Sequence, residues 1–173
     1  MEFSIDGGSR GNPGPAGYGV LVVDGSGQVV DQLHESIGVA TNNVAEYSAL
    51  LAALRYAIDH GSQDITIRSD SLLLVCQMKG EFRVKNAALK TLHAEARRLA
   101  SRLGRIRFVH VGREQNAEAD ALANRAMDEG ENQEASSKKR EEAGGRVFPS
   151  TTLRTGKPGD QKRGTWPPTG RLF

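Results

Sequence analysis

Four acidic side chains, Asp6, Glu46, Asp70 and Asp120, stand where a purely structural reading has little use for an acid. Asp6 points away from Phe3 and Ile5 at the end of one alternating segment, and Asp70 closes a second that contains Ile65 and Ile67. Glu46 lies beside the small residues Ala45 and Ala49, and Asp120 between Ala119 and Ala121, each about one turn into a stretch of helical spacing. If the two strands are neighbours and the two helices start near their ends, the four carboxylates converge where open α/β sheets place ligands. Converging carboxylates repel and are costly to desolvate, and a divalent cation removes that cost. Mg²⁺ prefers hard oxygen ligands, keeps several waters and is usually shared with a phosphate. Two such ions roughly 3.5–4 Å apart activate a water and stabilise the leaving oxygen in an in-line phosphoryl displacement. Taken singly, each acid has a plainer use. Glu46 and Asp120 can complement helix dipoles, Asp70 can cap a helix, and Asp6 can serve a turn.

The elements that must position these acids are legible as changes of period. Residues 2–6 alternate as a strand, 7–17 form a turn of Gly, Pro, Asn and Ser, and 18–23 form a second strand. Asp24-Gly-Ser-Gly27 is a hairpin signal, and 28–39 form a third strand. Thr41-Asn42-Asn43 can cap a helix over 44–58, which Gly61 ends. A fourth strand then runs to Asp70, a short apolar helix covers 71–79, and a longer helix covers 87–103. A fifth strand over 106–111 and a last helix capped by Asn116 complete the order βββ-α-β-α-α-β-α. That order implies an α/β domain with a five-stranded mixed sheet, strands one to three antiparallel, with helices on its faces.

Composition narrows the setting. The 173 residues suffice for one domain with a core and are too few for two ordinary ones. No apolar run is long enough for a membrane span, so no membrane partner is expected, and the start lacks the pattern of a secretory signal. A lone cysteine, Cys76, excludes an internal disulfide and fits a reducing compartment, with the cytoplasm as the expected location. Residues 1–130 carry 14 Lys and Arg against 16 Asp and Glu, whereas 131–173 carry 9 against 5. The interval 79–107 holds nine basic side chains against Glu81 and Glu95, a surface that can attract a polyanion or simply a solvated helix face. After Gly130 the apolar periodicity stops. Residues 1–130 are therefore expected to form the catalytic domain and 131–173 a basic, disordered tail, with Val147-Phe148 and Trp166 as candidate docking points in it.

Four segments resemble the signatures of the ribonuclease H family, in that family's order and at compatible spacing, over residues 1 to about 128. They are Asp6-Gly-Gly-Ser-Arg-Gly-Asn-Pro-Gly14, Thr41-Asn-Asn-Val-Ala-Glu46, Ser69-Asp-Ser71 and Arg113-Glu-Gln-Asn-Ala-Glu-Ala-Asp120. The resemblance implies the ribonuclease H-like fold with sheet order 3-2-1-4-5. It puts Asp6, Glu46, Asp70 and Asp120 on the metal-binding catalytic acids, which would hold two Mg²⁺ ions that Mn²⁺ can replace. It places Asn12, Asn42 and Asn43, with nearby backbone including Gly7, against the nucleic-acid strands, and Thr41 near a phosphate. A carboxamide both donates and accepts, as does the 2′-hydroxyl that distinguishes RNA from DNA. The implied reaction is endonucleolytic hydrolysis of the RNA strand of an RNA–DNA hybrid, leaving 5′-phosphate and 3′-hydroxyl ends, with double-stranded RNA open as a second substrate and no obligate protein partner.

Departures from the family pattern define a short type 1 branch. The loop Val111-Gly-Arg-Glu-Gln-Asn116 has no histidine, and Arg113 stands there instead, able to hold a phosphate or developing charge but unable to act as a base. The basic protrusion of some relatives shrinks to Lys79–Lys85, and the first strand leaves no room before it for a hybrid-binding domain. Two rivals remain open: a nuclease or integrase of the same fold acting on DNA, and a non-catalytic hybrid-binding module.

Overall fold

Alternating side chains carry the first forty residues into an antiparallel meander of β1 (Glu2–Ser9), β2 (Gly14–Val23) and β3 (Val29–Ala40) in the computed structural model, which describes residues 1–144. Helix α1 (Asn42–Asp59) then leads to β4 (Asp64–Ser69), which pairs parallel with β1. Helices α2 (Leu72–Lys79) and α3 (Ala87–Ala100) lead to β5 (Arg105–His110), parallel to β4. A 3₁₀ turn, Arg113–Asn116, opens into α4 (Ala117–Gly144). The sheet order is β3-β2-β1-β4-β5, as expected for the ribonuclease H-like fold.

The main core lies between one sheet face and α1 with α3. Phe3, Ile5, Val20, Val22, Ile65 and Ile67 meet Leu50, Ala53 and Leu54 of α1 and Leu89, Ala96 and Leu99 of α3. Full burial of each large apolar side chain contributes roughly 1.5–3 kcal/mol. On the opposite face α4 crosses the strands at backbone distance. A Cβ on Gly19 would lie 2.5 Å from the Leu122 Cβ, one on Gly17 would lie 2.8 Å from the Ala126 Cβ, and one on Gly130 would run into Ser36. The helix contributes a matching stripe of buried Ala119, Ala123 and Ala126.

Several boundaries differ from the sequence reading, three of them with consequences for the fold. β2 begins at Gly14 rather than Tyr18, because Gly14-Pro-Ala-Gly17 composes like a turn yet pairs with both neighbouring strands. α3 stops at Ala100 rather than Leu103. The largest difference is at the C-terminal end, where the expected disorder from residue 131 gives way to helix through Gly144. Residues 131–140 are all exposed, so they bury no stripe. They are rich in Glu, Gln, Ala, Lys and Arg, which extend a helix already nucleated by its packed half. Gly130, where the apolar periodicity stops, is the crossing point over Ser36. The remainder of the expected tail, with Val147, Phe148 and Trp166, lies outside the described residues. No helix among the described residues is long and apolar enough to cross a membrane.

Candidate active site

Strand register brings the first two acids together. Pairing of β1 with β4 ends at Ile5↔Ser69, so the next residues are Asp6, within β1, and Asp70, just past the end of the parallel β4. β1 itself continues to Ser9, which puts Asp6 inside a strand opposite Gly19 rather than at a strand end or turn. Asp70 is not a cap either: Ser71 caps α2, its Oγ accepting from the Leu74 N–H at 3.4 Å.

Glu46 arrives from the other layer. Thr41 caps α1, its Oγ1 accepting from the Val44 N–H at 3.4 Å. The helix can start this close to β1 because Gly7 has no side chain: a Cβ there would overlap the Ala45 carbonyl carbon and the Glu46 nitrogen. One carboxylate oxygen each from Asp6, Glu46 and Asp70 then lies within 4.8 Å of the others. Asp120, in the first turn of α4, is outside that tight set but lines the same cavity, with Gly7, Gly8, Asn42, Arg113 and Asn124. The acids thus converge from both helical layers at the point where β1 and β4 part.

Their electrostatics are those of charges held together against repulsion. Burial, followed by Asp70 and then Asp120, pushes Asp6 up to about 7. Burial, followed by Asp6 and then Asp70, pushes Glu46 up to about 9. The Glu46 Oε2 is buried with no hydrogen-bond partner. An orphaned buried acceptor amid raised carboxylates, with an all-oxygen donor set, fits a hard divalent cation. A helix-dipole role does not explain Glu46, which is only 6% exposed and faces other acids.

The expected substrate contacts spread around this centre. Gly7 and Asn42 line the cavity. Asn12 supports it from the loop between β1 and β2, its Oδ1 accepting from the Asn42 N–H at 3.3 Å. Asn43 is exposed in the first turn of α1 outside the cavity lining, and Thr41 is occupied as a cap. Arg113 reaches the cavity, where its Nη2 donates to Asp120 Oδ1 at 3.1 Å. That bond, with the charges of Asp120, Asp70 and Asp6, holds its guanidinium still more firmly protonated.

Several neighbours of the acids escaped the sequence reading. Asn124 Nδ2 donates to the Asp120 carbonyl at 2.9 Å and to its Oδ2 at 3.0 Å, an i, i+4 pair that helical spacing could have revealed. Arg10 lines the cavity and is held by Asp128 and Glu131 of α4, a pairing 118 or more residues apart in the chain and invisible to local spacing. Asn116, expected as a helix cap, instead turns inward and donates to the Ile5 carbonyl at 2.9 Å and to Asp70 Oδ1 at 3.4 Å. His110, at the end of β5, hydrogen-bonds the Asp70 carbonyl at 3.2 Å rather than facing the carboxylates.

Comparison with known proteins agrees with this arrangement. Residues 4–126 match the family described as reverse transcriptase-like. A bifunctional protein of Mycobacterium tuberculosis is 47% identical over 130 residues, covering 74% of this chain and 35% of that protein. Ribonuclease HI of Halobacterium salinarum is 45% identical over 125 residues, covering 72% of this chain and 63% of its own length. The chain therefore spans about a third to two thirds of these relatives. It spans 87% of a ribonuclease H of Coxiella burnetii, 34% identical over 137 residues, which covers 72% of this chain. Among solved structures, the N-terminal RNase H domain of the mycobacterial protein superposes with a TM-score of 0.71 at 46% identity, covering 73% of this chain and 97% of the other. An RNase H1 in complex with an RNA/DNA hybrid superposes with a TM-score of 0.71 at 41% identity, covering 75% and 97%. With the fold, the four acids in their family order and these matches in agreement, the chain belongs to the reverse transcriptase-like family and, within it, to the ribonucleases H in their short type 1 form.

Proposed function

We propose that this chain is an endonuclease that hydrolyses the RNA strand of RNA–DNA hybrids, with Asp6, Glu46, Asp70 and Asp120 as its catalytic, metal-holding acids. The observation that carries the reading is the convergence of three carboxylates within 4.8 Å, one of them with a buried, unpartnered oxygen, beside a fourth in the same cavity. Asp6, Glu46 and Asp70 would hold divalent ions at the β1–β4 junction, with Asp120 extending the set toward solvent; two such ions, Mg²⁺ with Mn²⁺ as a substitute, would supply the positive charge that activates a water and stabilises the leaving 3′ oxygen. Hydrolysis in this sense leaves a 5′-phosphate and a 3′-hydroxyl.

The remaining side chains bind and orient. Asn42, with Asn12 bonded behind it, and Asn43 present carboxamides at the start of α1, where a ribose 2′-hydroxyl can both donate and accept. The backbone of Gly7 and the hydroxyl of Thr41 border the same strand path. Arg113, 80% exposed, can leave Asp120 for a phosphate without an appreciable desolvation cost. Such contacts position the backbone and carry little sequence information, so cutting should show little sequence preference. Residues 1–130 supply every proposed site residue, which supports taking them as the catalytic domain and 131–173 as an appendage. The single cysteine, Cys76, is free and buried, which supports a reducing, cytoplasmic setting.

The test is cleavage of end-labelled hybrid, DNA–DNA and RNA–RNA duplexes by the full chain in Mg²⁺, Mn²⁺ or EDTA. The expected result is cutting of the hybrid's RNA strand only with divalent cation, yielding 5′-phosphate ends, with the RNA–RNA arm deciding the second substrate. Faster cutting of duplex DNA would transfer the chain to the DNA-acting nucleases. Hybrid binding in EDTA without cutting in either metal would make it a binding module.

A further inference from the structure

Asn116 is the last residue of the 3₁₀ turn before α4, only 1% exposed, and it does not line the cavity. Its Nδ2 donates to two acceptors, the Ile5 carbonyl on β1 at 2.9 Å and Oδ1 of Asp70, just past the end of β4, at 3.4 Å. Ile5 precedes Asp6, and Ile5↔Ser69 is the last registered pair between β1 and β4. Beyond that pair the strand ladder no longer sets the distance between Asp6 and Asp70. One carboxamide spans the gap at the step where the backbone stops doing so.

The orientation of the amide follows from its partners. Both are acceptors, so the NH₂ faces them and Oδ1 faces the interior, where it is buried without a partner. A buried acceptor without a partner costs about 1–3 kcal/mol, and an apolar residue of similar shape would avoid that cost. The bond to the buried Ile5 carbonyl gives the fold a use for a donor here, but it does not require that the same amide also reach Asp70 Oδ1. A donor directed at both the Asp6-bearing strand and Asp70 itself does more than satisfy the backbone. We infer that Asn116 is a positioning residue, which fixes Asp70 relative to Asp6 so that the two carboxylates present a preformed cradle to a divalent cation. It acts through Asp70 and touches neither substrate nor solvent. Outer-shell partners of ligating carboxylates commonly change metal affinity by about 10–100-fold when removed.

This inference rests on the metal-holding role proposed above, and its test separates the two. Mn²⁺ is titrated calorimetrically into the full chain without nucleic acid, for wild type, Asp70→Asn, Asn116→Leu and Asn116→Ala, and thermal unfolding of each is recorded in EDTA. Leucine keeps the number and branching of the side-chain heavy atoms at greater bulk and removes the orphaned acceptor, and alanine removes the same donor without added bulk. The expected result is a roughly 10–100-fold weaker Mn²⁺ Kd in both Asn116 variants, while both still unfold cooperatively in EDTA. An Mn²⁺ Kd within about twofold of wild type in the Asn116 variants, with Asp70→Asn still abolishing binding, overturns the positioning role and leaves the metal site standing. No Mn²⁺ uptake by wild type, or equal uptake by Asp70→Asn, overturns both.

Discussion

Asp6 holds its proton to about pH 7 and Glu46 to about pH 9, whereas the same groups ionise near 3.8 and 4.5 in the unfolded chain. The folded, metal-free protein therefore retains protons that the unfolded chain releases. Their contribution to stability is fully present below about pH 4 and is lost as pH rises through about 7 for Asp6 and about 9 for Glu46. Thermal unfolding in EDTA checks this directly: the midpoint of Asp6→Asn minus that of wild type should widen as pH rises across that window. A difference that stays constant with pH contradicts it. The same repulsion sets the behaviour of Asp70→Asn. That variant should lose cleavage while gaining midpoint in EDTA, by about 2–4 °C for each kcal/mol of repulsion relieved. Near-normal turnover in purified Asp70→Asn would remove Asp70 from the reaction. Taken singly, each of the four acids has a plainer local use, and it is the four signatures in family order that pick them out together. Asn116 is not picked out, because before a helix an asparagine has an adequate local explanation, and its true partners lie 111 and 46 residues away.

Helices approach this sheet wherever side chains are missing from it. Gly7 admits the start of α1, and with it Glu46, while Gly17 and Gly19 admit α4, and with it Asp120. Gly7→Ala should accordingly destabilise the fold by about 3 kcal/mol, at the upper end of the usual overpacking cost, and sharply reduce cleavage by displacing Glu46. Gly25→Ala, in the β2–β3 hairpin with nothing within 4 Å of its added Cβ, should stay within about 0.5 kcal/mol of wild type. Equal midpoints for the two variants in chemical denaturation would contradict this account of α1. The glycines also explain where the elements were hard to read. Gly14-Pro-Ala-Gly17 reads as a turn because its residues are small, and Gly17 is small because a helix passes over it. The order of the elements, by contrast, follows from alternation and connection length, both local properties, whereas the sheet order comes with the family resemblance. The run of α4 beyond Gly130 was missed for a different reason. Polarity correctly indicated that residues 131–140 stay exposed, but an exposed helix needs only propensity and a nucleated neighbour.

The molecule presents its charges in two distinct regions. The cavity is acidic, while the turn after α2 and the exposed side of α3 are basic. Lys85, Lys90, Arg97, Arg98 and Arg102 are exposed and have no acidic partner within 4 Å among the described residues. A polyanion bound there would be guided toward a centre that repels it until cations neutralise the acids. Replacing Lys85 and Lys90 with glutamate should raise KM for the hybrid with little change in kcat. It should also flatten the salt dependence of log K by about 0.9 for each phosphate that is no longer neutralised. An unchanged salt slope would reduce this surface to a solvated helix face. The central claim, that four carboxylates from two strands and two helices share divalent ions, is tested most directly by anomalous diffraction from crystals of the full chain soaked in Mn²⁺. The account predicts a peak coordinated by Asp6, Glu46 and Asp70, and a second between that group and Asp120 once a hybrid is bound. Manganese found only elsewhere on the surface, with the three carboxylates turned away from one another, would contradict it.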